Sequence, residues 1–325
     1  MDVDRGDNTW DVLVVGGGPA GLSAALVLGR CRRRVLLCDA GEPRNAVSSG
    51  VHGLLGHDGR SPAELRSLAR EQLAPYPVRF AEGRVDDISG KVGAFRAQLS
   101  DGAEHVARRV LLAPGLRDLL PPVPGLSERY GKSVFSCPYC DGWEQRDRKL
   151  GALGAGEGAE ELGRALLGWS DTVTVFDADG GSIGEAARAR LAQLGADVVD
   201  GPLERLEGPG ADLAWVVLAG GRRVPCEALF IKCDCTLGTD LAQRMGCRVT
   251  DAGEVHTTDA CGRTCVDGIW VAGDASAETK MAVVAAAEGA QAAADIQTSL
   301  REEDQAVRLA AAARGWAAAD RPPRE

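Results

Sequence analysis

The residues of this 325-residue chain best suited to chemistry are two thiols, in the string Cys137-Pro138-Tyr139-Cys140. A pair at this spacing closes a small disulfide ring, so it opens and closes with little chain rearrangement. Neighbouring dipoles and hydrogen bonds lower the pKa of one thiol and make it the attacking nucleophile. The same spacing supplies half of a zinc site, but no second CxxC or HxxxH follows at a useful distance. Cys233-x-Cys235 and Cys261-x3-Cys265 are the remaining candidates to complete one. Neither has a usual zinc spacing, so no metal centre is expected.

The elements around the pair read as nucleotide-binding units. Asp11 to Val15 is an apolar strand signal, followed by GGGPAG and a helical pattern from Leu22 to Gly29. Gly16, Gly18 and Gly21 form GxGxxG: the first permits a tight turn, the second lets a pyrophosphate approach the backbone, the third lets helix and strand pack. The helix N-terminus then faces the phosphates. A second strand, Arg34 to Cys38, ends at Asp39, 23 residues after Gly16, where an acid accepts from a ribose.

The pattern recurs beyond the cysteines. Lys149 to Leu153 predicts a strand, Gly154, Gly156 and Ala159 give GxGxxA, and Glu160 to Leu167 predicts a helix. The strand Thr172 to Phe176 ends at Asp177, again 23 residues after the first Gly. Each unit carries a hairpin signal: Asp101-Gly102 between Phe95 to Leu99 and His105 to Val110, and Gly220-Gly221 between Leu213 to Leu218 and Arg222 to Val224. Each hairpin leads into an apolar strand, Val110 to Ala113 and Ala228 to Lys232. A third segment, the strand Gly268 to Ala272, Gly273-Asp274 and an Ala-rich helix from Ala282 to Leu300, completes the first unit. Its Asp can hold a ribityl or ribose hydroxyl and its helix N-terminus can face an isoalloxazine ring.

The expected fold class is therefore α/β, two nucleotide-binding units with the first interrupted by the second. The expected domains are 1–118, then 119–247 carrying the CxxC, then 248–300 returning to the first, with a C-terminal helix and polar tail over 301–325. Pro121-Pro122 and Pro124-Gly125 mark the first crossing.

Composition narrows the function classes. Net charge is −10 without a basic stripe, which argues against nucleic acid as a partner. The short run Arg32-Arg33-Arg34 reads as the solvated end of a helix. Aromatics are 4% of the chain, so the cores must be built from Ala, Val and Leu. No apolar run approaches the ~20 residues of a membrane span. The stretch MDVDRGDNTW is acidic and lacks the features of a signal peptide. A cytoplasmic location is expected, where structural disulfides are uncommon and most of the ten cysteines are free thiols.

GGGPAG near the start, CPYCDGWE in the middle and a late VAGDAS together resemble the thioredoxin-reductase-like flavoproteins, over roughly residues 10 to 300. CPYC is also the glutaredoxin string, but that fold needs it near the start of a small domain. The resemblance implies two Rossmann-like domains, the FAD domain split by insertion of the second, and a homodimer. It implies FAD contacts from Gly16, Gly18, Pro19, Ala20, Gly21, Asp39, Asn45, Gly115, Gly273, Asp274, Lys280, Met281 and Ala282. A second dinucleotide, NAD(P)H, would lie on Gly154, Gly156, Ala159 and Asp177. It further implies that Cys140 lies nearest the flavin, that Cys137 meets the partner, and that Asp141 gives and takes the thiol protons. A carboxylate beside the pair can do so if burial raises its pKa.

The chain departs from the reductase pattern in two places. Reductases carry HRRxxxR after the second unit's second strand, where its cations clasp the 2′-phosphate of NADPH. Here the stretch is Asp177-Ala178-Asp179-Gly180-Gly181, and the first Arg is Arg188. Two carboxylates repel a phosphate dianion, so NADPH is disfavoured and NADH, or no nicotinamide, is expected instead. Reductases also carry Arg-Gln before the last helix, where this chain has Thr279-Lys280-Met281. A cation near the flavin's pyrimidine edge would stabilise an anionic reduced flavin and developing superoxide. Both departures lean toward the branch resembling the dithiol oxidases of gliotoxin and holomycin biosynthesis, which close a small-molecule dithiol and return electrons to oxygen. Asp141 follows the reductases, since the oxidases often carry His there.

The favoured expectation is thus an FAD-dependent dithiol oxidase acting on a small-molecule dithiol. The alternatives are an NAD(P)H-dependent reductase of a thioredoxin-like protein and a slow redox-sensing flavoprotein. His52 and His57, in the loop VHGLLGHDG, either approach the flavin or the dithiol substrate or are solvated, the reading favoured here, and Cys31, Cys38, Cys226 and Cys247 read as buried packing residues.

Overall fold

The computed structural model describes residues 8–251, 253–276 and 279–319. The tail RPPRE and most of the acidic start lie outside the described residues. The chain divides into two compact α/β units: Met1–Pro43, Arg66–Gly115 and Leu237–Glu325 form one, Arg44–Leu65 and Leu116–Thr236 the other. The first nucleotide-binding unit is thus interrupted by the second, as the paired motifs require. Residues 44–65, which the sequence reading keeps in the first domain, pack with the second unit. Arg44 there binds Asp118 through a 2.7 Å ion pair, and a Cβ on Gly131 would meet the Val47 carbonyl oxygen at 2.6 Å.

The first unit is built on a seven-stranded sheet. Thr9–Val15 runs parallel between Val35–Asp39 and Glu104–Leu112, and Val78–Glu82 extends the edge beyond Val35–Asp39. Alternate residues of Thr9–Val15 enter different cores, as a pleat dictates: Val12 and Val14 in one cluster, Leu13 and Val15 in another. The hairpin at Asp101-Gly102 forms between Ala94–Leu99 and Glu104–Leu112. Its second strand does not end at Val110 and restart there but runs unbroken to Leu112, a correction to the sequence reading. This long strand forks along one edge. Its start pairs antiparallel with Phe95 to Gln98, and its end pairs parallel with Ile269–Val271. The late segment therefore fills a gap that the hairpin leaves in the parallel sheet.

Two helices cover one face of that sheet. Pro19–Arg30 has Pro at its first turn, where a missing N–H costs nothing. Ala282–Ala319 is one continuous helix, running well past the expected end at Leu300. The two approach closely because Gly289 has no side chain: a Cβ there would lie 2.0 Å from the Ala20 carbonyl oxygen. The core they share is dominated by Ala, Val and Leu, with Trp270 as its one buried aromatic.

The second unit has a five-stranded sheet in the order Ala196–Asp200, Val173–Asp177, Leu150–Gly154, Ala228–Ile231, Val134–Phe135, all parallel. A separate antiparallel sheet joins Leu203–Glu207, Trp215–Leu218 and Arg223–Pro225. Gly220 and Gly221 close its second hairpin at φ 87° and 82°, a turn that needs left-handed backbone twice. The helix expected from Glu160 begins at Gly156. The second and third residues of GxGxxA are its first turn, so a reading that treats the motif as loop starts the helix too late.

Candidate functional site

Val134–Phe135 is an edge strand, and Cys137 follows its C-terminal end. In parallel sheets the strand ends at this side are where ligands and reactive groups gather. Cys137 is extended and caps the short helix Pro138–Asp141, with Pro138 at its first position. Its Sγ is disulfide-bonded to Cys140, with the Cα atoms 5.3 Å apart. The Cys140 backbone N–H donates to Cys137 Sγ at 3.2 Å. That bond would stabilise negative charge on Cys137 when the pair is open. A Cβ on Gly142 would strike the Pro138 carbonyl oxygen at 2.4 Å and the Trp169 indole at 2.8 Å, so the turn after the pair demands glycine.

Aromatic surface flanks the disulfide. Tyr139 is 73% exposed and stacks edge-on to Trp169 at 5.8 Å; Trp143 is 64% exposed under the Arg146 guanidinium at 4.1 Å. In a chain with so few aromatics, two exposed rings beside a disulfide offer an apolar surface to a substrate.

Asp141 is half-buried, and burial pushes its pKa up to about 6. His52 pulls it down and Glu144 pushes it up. His52 is itself a correction: it is 22% exposed rather than solvated, with Nε2 3.7 Å from Glu144 and Nδ1 3.8 Å from Asp58. The only signal for this in the sequence is the glycine density of the loop around it. A second cluster also escaped the sequence reading. Asp118 accepts from Arg44 Nε and Nη2, from Tyr130 Oη at 2.6 Å and from Cys233 Sγ at 3.8 Å. Burial and then Asp118 raise the Cys233 thiol to about 11, so it is a poor nucleophile. Among the other thiols, burial pushes Cys38 and Cys226 up to about 12, whereas Cys31 is exposed because it lies just past the last helical turn. Among the described residues no three His, Cys, Asp or Glu side chains gather as metal ligands, and Cys137 and Cys140 are joined to each other.

The first unit's glycines form a cradle that fits FAD. Gly16 sits at φ 109°, and a Cβ on it would lie 2.1 Å from the Ala113 carbonyl oxygen. A Cβ on Gly21 would lie 1.9 Å from the Gly16 oxygen, whereas one on Gly18 meets nothing within 4 Å. The backbone at Gly18 is therefore open where a pyrophosphate must approach, ahead of the helix that Pro19, Ala20 and Gly21 begin. Asp39 ends the adjacent strand; Arg66 contacts its Oδ2, and its Oδ1 accepts from Gly41 N–H at 3.2 Å. Gly115 is left-handed at φ 62° with open space around it. Gly273 follows Ile269–Val271 at φ 81°, and its N–H donates to Glu288 Oε2 at 2.8 Å. Lys280 Nζ contacts Glu254 Oε1 at 2.5 Å and the Asp274 carbonyl at 3.1 Å, just before Met281 and the helix that Ala282 opens. Its cation is therefore shared with a carboxylate. Asn45 lies in the second unit, in the short 3-10 turn Arg44–Val47.

The corresponding groups of the second unit are turned on each other. The Gly156 N–H donates to Ser182 Oγ at 2.9 Å, and Ser182 Oγ donates to Asp177 Oδ1 at 2.6 Å. Asp177 has a fully buried side chain and also accepts from Gly181 N–H, Ile183 N–H and Arg188 Nη2, each at 3.0 Å. Gly154 packs its backbone against Ala159 as a helix-strand contact requires. The carboxylate and amide that a dinucleotide would use thus form a turn cap, contrary to the role the strand-end spacing suggests for Asp177. As they stand, these residues do not fit a nicotinamide dinucleotide.

The fold and these sites define a class. Residues 10–290 match the pyridine nucleotide-disulphide oxidoreductase family, and the chain belongs to it. It is 30% identical to thioredoxin reductase sirT of Leptosphaeria maculans over 92% of this chain and 97% of that one. It is 32% identical to thioredoxin reductase tcpT of Claviceps purpurea over 84% and 88%. The crystal structure of HlmI superposes with a TM-score of 0.89 at 37% identity, covering 96% of this chain and 98% of that one. Within the family it is therefore a thioredoxin-reductase-like, FAD-dependent disulfide oxidoreductase, an enzyme acting on sulfur groups.

Proposed function

We propose that the protein oxidises a small-molecule dithiol at Cys137–Cys140 and delivers the electrons to oxygen, without a nicotinamide. The observation that carries this reading is the closed turn of Gly156, Ser182 and Asp177. With that turn in place the second unit offers neither its amide nor its carboxylate to NADH, and no arginine clasp to NADPH.

The exchange runs on the chain's own groups. A substrate thiolate attacks Cys137 Sγ, the Cys137–Cys140 bond breaks, and Cys140 leaves with the electron pair. The second substrate thiol then attacks the mixed disulfide, its own disulfide forms, and Cys137 leaves. The Cys140 N–H at Cys137 Sγ lowers the cost of that second departure. The substrate loses two electrons and two protons, and the cysteine pair gains them. Asp141, with its pKa near 6, takes the proton of an incoming thiol and returns it to a cysteine. FAD, when bound, supplies the two-electron carrier that empties the reduced pair toward oxygen. Exposed Tyr139 and Trp143 suit an apolar small molecule. A homodimer and a cytoplasmic location complete the reading; sedimentation at micromolar concentration checks the first.

Anaerobic stopped-flow mixing tests the reading. Dithiothreitol should bleach the flavin band rapidly, NADH and NADPH should leave it intact, and aeration should return the colour with peroxide formed. Rapid bleaching by either nicotinamide would replace the proposal with a disulfide reductase acting on a thioredoxin-like protein.

A further inference from the structure

An acid at the end of a nucleotide-binding strand has two opposed tasks. A ribose needs its carboxylate as an acceptor, yet that charge stands beside a turn built for phosphates. Asp39 brings the two very close. A Cβ on Gly17 would lie 2.5 Å from Asp39 Oδ2 and 2.6 Å from its carboxyl carbon, so the carboxylate rests directly on the glycine turn. One residue further on, Gly18 is the open position, with nothing within 4 Å of a Cβ placed there. A bare carboxylate at this point would repel both phosphates of a dinucleotide.

The first unit does not leave it bare. Arg66 Nη2 contacts Asp39 Oδ2, and Arg70 Nη2 lies 3.7 Å from the same oxygen. Oδ1 accepts from the Gly41 N–H at 3.2 Å on the exposed side. Arg66 and Arg70 stand four residues apart on the helix Pro62–Leu73 and so share a face. Leu73, 1% exposed, and the partly buried Ala69 seat that helix in the first unit's core. Arg70 is shared: it also meets Glu82 at 3.2 Å and stacks over the Phe80 ring at 5.2 Å. Arg66 pairs with no other carboxylate among the described residues, so its charge is committed to Asp39. The corresponding acid of the second unit, Asp177, has a fully buried side chain spent on its own turn, whereas the Asp39 side chain keeps 13% of its surface open to a ligand.

From this geometry we propose that Arg66, supported by Arg70, is the counter-charge of the FAD site. It neutralises Asp39 beside the phosphate-binding turn, so that the carboxylate can serve a ribose without repelling the diphosphate. Arg66 is a positioning residue, because it acts through Asp39. The inference rests on FAD as the cofactor of the first unit, and not on which thiol compound the enzyme oxidises.

The experiment measures FAD retention by the purified full-length holoenzyme, by ultrafiltration of serial dilutions, with circular dichroism as the control for folding. Arg66→Gln should weaken FAD binding by about tenfold to a hundredfold. Arg66→Lys keeps the charge and should hold FAD within about threefold of wild type. In an Asp39→Asn background the charge to be offset is gone, and Arg66→Gln should then cost less than about threefold. A residue that merely braced the helix would cost the same in both backgrounds. Wild-type retention in Arg66→Gln, a lysine no better than glutamine, or equal losses beside Asp39 and beside its Asn replacement would each overturn the counter-charge. If Asp39→Asn holds no flavin, the lysine comparison decides alone. Arg70 is partly exposed, so Arg70→Gln, with an expected loss of about threefold or more, reports even where Arg66→Gln fails to fold; an unchanged affinity there overturns the proposal. A wild type that holds no FAD would remove the cofactor itself, a failure distinct from all of these.

Discussion

Burial, rather than an ion pair, is what brings Asp141 to a pKa of about 6, and this decides which way its proton moves. Above that pH the carboxylate is ionised and can accept the proton of an attacking thiol; below it the group is already occupied. Dithiol-driven opening should therefore rise with pH through about 6 and level off above it. Asp141→Asn should remove this limb and slow opening by about a hundredfold or more, which rapid-mixing rates over the same range will show. Cys137→Ser and Cys140→Ser should each abolish turnover with a dithiol, because either serine leaves no bond to open; peroxide release under steady state checks both. The cysteine pair and the GGGPAG string were legible because their chemistry lies in short, contiguous spacing. His52 was not, because its partner Glu144 stands far along the chain and only tertiary packing joins them. The loop glycines are a trace of that packing, with no partner for the ring visible in the sequence around them.

At the scale of elements, strand-to-carboxylate spacing predicted where Asp39 and Asp177 would stand but not which way they would face. Both end strands paired parallel with the strand that leads into their unit's glycine turn. Asp177 turns inward and caps the segment that follows it, a choice made by Ser182, two amides and Arg188, which composition does not reveal. Burial pushes the Asp177 pKa up, but the Ser182 hydroxyl, the Ile183 and Gly181 amides and Arg188 together hold it below the ordinary carboxylate value. A depressed folded-state pKa means that this contribution to stability is fully present above the unfolded pKa of about 4 and is lost as pH falls through the lower, folded value. Asp177→Ala should strip the turn of its acceptor, leave buried N–H groups unmet and lower stability by about 2–4 kcal/mol at neutral pH. The difference from wild type should shrink in acid. Urea unfolding at pH 7 and at pH 3 measures both. An equal loss at the two pH values would mean that the carboxylate's charge contributes nothing.

At the scale of the whole molecule, the division into two nucleotide-binding units, the first interrupted by the second, was legible because each unit repeats strand, glycine turn, helix and hairpin in the same order. The length of the last helix was not. Its sequence past Leu300, rich in charge and alanine, reads as a separate C-terminal helix with a polar tail. The charges have buried partners elsewhere in the first unit. Arg108 and Arg109 are 8% and 4% exposed on the long strand Glu104–Leu112. Arg108 pairs with Asp11 at 2.9 Å, Glu303 at 3.1 Å and Asp304 at 2.7 Å, and Arg109 with Glu303 at 2.8 Å. Arg33, taken from the sequence as a solvating cation, donates to Gln297 and Asp304 at 2.6 Å each. The helix extension thus neutralises cations that an interior strand of the sheet buries, and removing one side of such a network costs more than the pairs contribute. Ending the chain after Leu300, or combining Glu303→Gln with Asp304→Asn, should destabilise the first unit by about 3–5 kcal/mol, whereas ending it after Leu309 should change little. Thermal unfolding of the three variants, followed alongside release of FAD, distinguishes them. A truncation at Leu300 that melts with wild type would mean that water reaches the two arginines and that the extension is a solvated tail after all.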